Sequence, residues 1–230
     1  MVEVNVITIP DKKEDESISY KFKKIVEDRN QAISKKFKMD ALDVDLKLYY
    51  SAGALRNVLD PNGDHMGVFS GYKEGENSIH LVHPDSVIGL FDDIDKELNM
   101  LIDMNLIRMY LCKKYYPERS DFRMFHKYIA DFFSEIACGK GKMDYFKFDL
   151  KVYNENIKPK KEQEVRMSLY LMYEKSGVDF IYENLDIIME DQDFNKSLFK
   201  IYKRSFSDLM SFRKKEIEEK EKQYKVRKNR

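Results

Sequence analysis

The stretch from Leu90 to Leu111, LFDDIDKELNMLIDMNLIRMYL, limits what this chain can become more than any other. It holds neither Pro nor Gly. Its apolar residues Leu90, Phe91, Ile94, Leu98, Leu101 and Ile102 have the spacing of a helix with one buried face. Beyond Asp103, the residues Met104, Leu106, Ile107, Met109, Tyr110 and Leu111 take up nearly the whole circumference. A helix apolar on all sides is either a core helix or a membrane span. Asp92, Asp93, Asp95 and Glu97, with Asp103 and Arg108 further on, exclude the span. The stretch therefore reads as a central buried helix, and the polar residues it carries are costly enough to be candidates for function.

A chain of 230 residues is long enough to bury a sizeable core around such a helix. Its 41 basic and 41 acidic residues cancel, so no global field recruits nucleic acid or an anionic membrane, and neither is expected as a partner. Two cysteines, Cys112 and Cys138, are few for a chain of this length and fit a reducing compartment. The start, MVEVNVITIPDKK, lacks the basic lead and long apolar run of a secretory signal, so the expectation is a cytoplasmic protein.

On either side of the central helix the pattern is mixed. Val2 to Ile9 is β-branched and closes at Pro10, which predicts a first strand. Ile18, Phe22, Ile25, Val26, Ile33 and Phe37 predict an amphipathic helix over 18–37. Ala41 to Tyr50 alternates as a half-buried strand. Ser51 is placed to cap a short helix to Leu59, with a turn at Asp60-Pro-Asn-Gly. Met66 to Tyr72 and Ser78 to His83, joined by a Gly-containing loop, predict a hairpin. After the central helix a second helix is expected from Asp121 to Cys138, stopped by Gly139 and Gly141. Asp144 to Asn156 fits a strand or a packed loop equally well. From Lys160 onward the pattern is helical: a helix to Lys175, a break at Ser176-Gly177, another from Val178 to Met189, and a last one over Phe194 to Phe212. Residues 213–230 are almost wholly charged and read as a solvated helix end. The expected division is 1–111 for an α/β part with the central helix, 112–212 for a helical part, and 213–230 for a charged tail.

This order of strand, helix, strand, hairpin, buried helix and further helices resembles the gluzincin-type, zincin-like metallopeptidases. Asn77-Ser-Ile-His-Leu-Val-His-Pro84 is similar to the edge strand beside the active-site helix of that family, with His80 lining the cleft. Lys96-Glu-Leu-Asn-Met100 stands where such enzymes carry H-E-x-x-H. Phe133-Ser-Glu-Ile-Ala137 resembles the W-L-S-E-G-L-A segment, whose Glu is the third zinc ligand. Tyr173 to Ile181, with Phe194, Leu198, Phe206, Leu209 and Phe212, resembles the helices that close such domains. The resemblance covers roughly residues 20 to 215 and implies an α+β, zincin-like fold.

The departures matter as much. Zinc in such a site needs two imidazoles one helical turn apart and a carboxylate, with a Glu to activate water. Here Lys96 and Met100 hold the imidazole positions, and an ammonium or a thioether is a poor partner for Zn²⁺. The carboxylates remain at Glu97 and Glu135, so the resemblance implies a vestigial ligand position at Glu135, no metal and no cofactor. Lys96 is expected to pair with Glu135 or Glu97 as a structural cation in place of the metal. The implied function is a metallopeptidase relative without catalysis that binds a peptide or protein in its cleft, lined by Lys96, Glu97, Met100, Glu135 and His80.

Other readings stand beside it. Glu97 and Glu135 could serve as an acid/base pair in a metal-independent hydrolase. The charged C-terminal helix could make the chain a structural or regulatory partner. Asp92, Lys96, Asn99 and Asp103 also have the spacing of an ordinary solvated face, and Glu135 could be a plain surface residue. His80 and His83, three apart on a strand, point to opposite faces and make a poor joint metal site. His126 could approach the cleft, His65 falls in a turn, and Cys138 has no identifiable base. Asp60-Pro-Asn-Gly-Asp64 lacks the spacing of a calcium loop.

Overall fold

The structure is a computed structural model that describes residues 4–9, 16–59, 69–73, 76–115, 161–191 and 194–212, with residues 129, 130, 132, 133, 136, 215 and 219. Contacts divide the chain into two compact units, Met1–Lys142 and Met143–Arg230. Leu111, the expected boundary, instead lies inside a helix that runs on to Tyr115.

The first unit is α+β. Strands β1 (Val4–Ile9), β2 (Val44–Tyr49), β3 (Ser70–Lys73) and β4 (Ser78–Val82) form one sheet in the order β1-β2-β4-β3. The pairs β1–β2 and β2–β4 are parallel, while β3 runs antiparallel to β4. Helix α1 (Glu16–Phe37) supplies the crossover that the parallel pair β1–β2 requires. The short α2 (Ala52–Leu59) begins as expected, with Ala54 N–H donating to Ser51 Oγ at 3.3 Å.

Strand order corrects one expectation. The stretch ending in His83 is not the edge; β4 lies between β2 and β3, and all five of its residues are buried. A strand with neighbours on both sides and cover on both faces reads as a continuous apolar run, which SIHLV nearly is. Among the described residues the end strands are β1 and β3, and on this side the edge is β3, whose Ser-Gly-Tyr-Lys is far less apolar.

The central helix α3 (Ile94–Tyr115) starts later than its periodicity implies, because Asp93 caps it: Lys96 N–H donates to Asp93 Oδ1 at 3.0 Å. Leu90 falls outside the helix and is 62% exposed. Register assigns the layers. Val4, Val6, Leu46, Leu48, Ile79, Leu81 and Ser70 share one face of the sheet. Asn105 of α3 donates to Ser70 Oγ at 3.0 Å, so α3 covers that face. Helix α1 packs beside it in parallel: Lys21 pairs with Asp95 at 2.8 Å and Arg29 with Asp103 at 3.2 Å, two ion pairs with the same offset along the chain. Further along, Tyr110 stacks on Phe37 and bonds to Asn30. Helix α2 covers the opposite face, where a Cβ on Gly71 would meet Leu59 Cδ1 at 2.6 Å.

The second unit is helical among its described residues: α4 (Lys161–Glu183), α5 (Leu185–Asp191), α6 (Phe194–Tyr202) and a helical segment over 206–212. The break expected at Ser176-Gly177 is a kink inside α4, where Gly177 has φ 80 and ψ 170. That conformation is open almost solely to glycine. Gly177→Ala should therefore lower the stability of the chain by about 1–3 kcal/mol, read from urea unfolding, and an unchanged midpoint would count against it. The single helix expected over 194–212 is two. Lys203 has φ 56, and Ser205 then opens a new helix with Asp208 as a capping box, Asp208 N–H donating to Ser205 Oγ at 3.2 Å and Ser205 N–H to Asp208 Oδ2 at 3.1 Å.

The expected helix over 121–138 is described at only five positions. All five are helical, with Phe132 and Phe133 buried edge-to-face against each other. The expectation over 144–156 and most of the tail 213–230 lie outside the described residues.

Candidate functional site

The first turns of α3 carry the residues of the expected cleft. Lys96 is exposed, while Glu97 and Met100 are half-buried. Lys96 and Met100, four apart, share one face of the helix. Glu135 lies outside the described residues, so its place relative to them is not part of the described fold. Among the described residues Lys96 forms no ion pair. Of the two partners expected for it, Glu97 is not paired with it, and Glu135 lies outside the described residues. A first-turn ammonium in water keeps its hydration and has little to gain from a pair.

His80 does not join them. Its partners across the sheet are Lys47 and Gly71, so it stands on the α2 face, with the sheet between it and α3. There it belongs to a buried polar network. Tyr49 OH lies 2.8 Å from His80 Nδ1, and Ser78 Oγ lies 3.0 Å from His80 Nε2. Ser78 Oγ also donates to Glu76 Oε2 at 3.2 Å, and that oxygen accepts from Lys47 Nζ at 3.2 Å. Burial, and then the nearby Glu76 charge, push the Tyr49 hydroxyl above its ordinary value. Both imidazole nitrogens are engaged and the ring is 1% exposed, so His80 can neither hold a metal nor touch a substrate in this state. It fastens β2 to β4 instead.

His83 is likewise buried. It stacks on Tyr50 at 3.9 Å and accepts from Asp85 N–H at Nδ1. The two histidines thus have separate sets of partners. Among the described residues no group of three or more His, Cys, Asp or Glu is placed to hold a metal. Cys112 is half-buried and in no disulfide among the described residues. Cys138, His65, His126 and Asp60–Asp64 lie outside the described residues.

Two features are present that the sequence did not single out. One is an open hollow of about 590 Å³ at the N-terminal end of α3, between the 3₁₀ turn Pro84–Val87 and the helix start. Asp85, Asp92, Asp93 and Asp95 line it together with Ile88 and Phe91. Phe91 packs edge-to-face on Phe69, the residue that leads into β3, so the hollow adjoins the edge strand. The other is Asp103, which one alternative reading, the polar stripe Asp92, Lys96, Asn99 and Asp103, put on a solvated face. The stripe is exposed at Asp92 and Lys96, half-buried at Asn99 and buried at Asp103, where α1 covers it. Burial raises the Asp103 carboxyl to about 6, and Arg29 offsets only part of that rise.

No protein-family model, curated protein or solved structure matches the chain. Among the described residues no helix is long and apolar enough to cross a membrane.

Proposed function

We propose that this chain is a zincin-like protein, related to the gluzincin metallopeptidases but without their catalysis, and that it binds an extended peptide. The observation that carries the reading is that β3 is, among the described residues, an antiparallel edge strand, lying over the central helix with an acidic hollow at its end. Val82 N–H donates to Phe69 O, so the antiparallel alternation turns the main-chain groups of Ser70 away from β4. A strand added there would gain main-chain hydrogen bonds, with its side chains selecting sequence. Asp85, Asp92 and Asp93 favour lysine or arginine in the added segment, and Ile88 and Phe91 favour an apolar neighbour.

Metal chemistry does not fit the donor set. Lys96 brings a cation and Met100 a soft thioether where zinc needs imidazoles, and Glu97 alone activates nothing without the ion. Stoichiometric zinc in the purified protein would overturn this part of the reading.

The binding itself is tested by fluorescence anisotropy with two labelled hexapeptides, one alternating Lys and Val, the other Glu and Val. The lysine peptide should bind saturably, and the double variant Asp85→Lys, Asp92→Lys should weaken it by roughly tenfold or more. Equal binding of the two peptides, or no saturable binding of either, would sink the proposal.

A further inference from the structure

The second unit holds a cavity of about 420 Å³, within the range of roughly 300–1,000 Å³ typical of small-molecule sites. Two bends in the backbone bring its walls together. Leu171 and Lys175 lie on α4 just before the Gly177 kink, and Tyr202 ends α6. Arg204 follows the left-handed Lys203, and the next helical segment adds Leu209 and Phe212. Tyr202 is fixed by Ser176, hydroxyl to hydroxyl at 3.1 Å, and by the Phe180 ring at 5.8 Å.

The two cations are held in an unusual way. Lys175 Nζ sits 4.6 Å from the centre of the Tyr202 ring, and the Arg204 guanidinium 5.8 Å from that of Phe212. Among the described residues neither forms an ion pair with a carboxylate. A cation seated on a ring face is positioned without spending its N–H donors, which stay available to an acceptor. Among the described lining residues Glu174 is the one acid against two cations, so this lining is net positive, with Asp208 outside the lining but near enough for Arg204 to lower its carboxyl. The rest is apolar: Leu171, a buried Leu209, and Phe212, which is 55% exposed although it edges a cavity.

Two N–H donor groups beside an apolar wall select an anion with an apolar body. We infer that this cavity binds an aliphatic monocarboxylate, its chain against Leu171, Leu209 and Phe212 and its carboxylate between Lys175 and Arg204. A planar carboxylate suits the guanidinium fork. An amine would be repelled, and a sugar phosphate would leave the leucines uncovered. The inference is independent of the peptide site, which belongs to the other unit.

Titration calorimetry on the full chain tests it, with sodium octanoate, sodium butanoate, octanol and octylammonium chloride as probes. Octanoate should bind saturably, one per chain. Butanoate should bind far more weakly, since each methylene is worth up to about fourfold when buried. Octylammonium should show no binding. The variant Lys175→Gln, Arg204→Gln should weaken octanoate by roughly tenfold or more, and because both residues are exposed its unfolding midpoint should stay in place. Octanol or octylammonium binding as tightly as octanoate would overturn the inference. So would undiminished octanoate binding by the double variant, or the absence of saturable octanoate binding.

Discussion

Asn30→Ala is expected to lower folding stability by roughly 3 kcal/mol. Asn30 is wholly buried on α1 and holds three structures together. Its Nδ2 donates to Leu42 O at 2.6 Å, and its Oδ1 accepts from Leu42 N–H at 3.3 Å, which fixes the chain entering β2. The same Oδ1 accepts from the Tyr110 hydroxyl on α3. Alanine leaves the Leu42 carbonyl without its amide partner and removes the preferred acceptor of a buried hydroxyl, and each orphaned group costs about 1–3 kcal/mol. Tyr110→Phe in the same background should then cost less than it does alone, because the hydroxyl it deletes has already lost that acceptor. Urea unfolding of the two single variants and the double variant measures both effects. Strict additivity would mean that Asn30 and Tyr110 do not act as one unit.

Why Asn30 went unread, while so much around it was legible, follows from what periodicity contains. The spacing of Phe22, Val26, Ile33 and Phe37 predicted α1, and Asn30 lies on the same stripe, four after Val26 and three before Ile33. That place on an apolar face was the available signal, but the partners, Leu42 and Tyr110, could not be named from it. Local rules served well where the cause is local: the Ser51 cap, the Gly177 break, the hairpin of β3 and β4. They also contained the Ser205–Asp208 capping box that splits the last helix, although the apolar stripe across 194–212 masked it. They failed where the cause is a distant pairing. Nothing near His80 announces that Lys47 will lie beside it, yet that register moves His80 to the α2 face and out of the cleft. The same pairing makes β4 an inner strand and leaves β3 at the edge. Asp103 failed for a related reason: the stripe from Asp92 to Asp103 is continuous along α3, but α1 covers only its far end.

Asp103→Asn should stabilise the protein at neutral pH, by up to roughly 3 kcal/mol. The Asp103 side chain is 3% exposed, and only Oδ2 meets Arg29; Oδ1 is buried without a hydrogen-bond partner. Burial lifts the carboxyl from 3.8 to about 6 in the folded state, against the Coulombic pull of Arg29. The folded chain therefore holds this proton more tightly than the unfolded chain does. Its stabilising contribution is complete below the unfolded value near 4 and is lost as pH rises to about 6. Ordinary carboxylates slope the other way, so the informative quantity is the difference between variant and parent across that window. Asparagine keeps the shape, has no charge to desolvate, and should be level with the parent near pH 4 and well above it at pH 7.5. Arg29, itself 39% exposed, remains hydrated when its partner is gone. Arg29→Met removes the one cation facing the carboxylate among the described residues and should steepen the loss between pH 4 and 7.5. A parent and an Asp103→Asn variant that unfold alike at every pH would show that the carboxylate is solvated after all, and that α1 does not seal this face of α3.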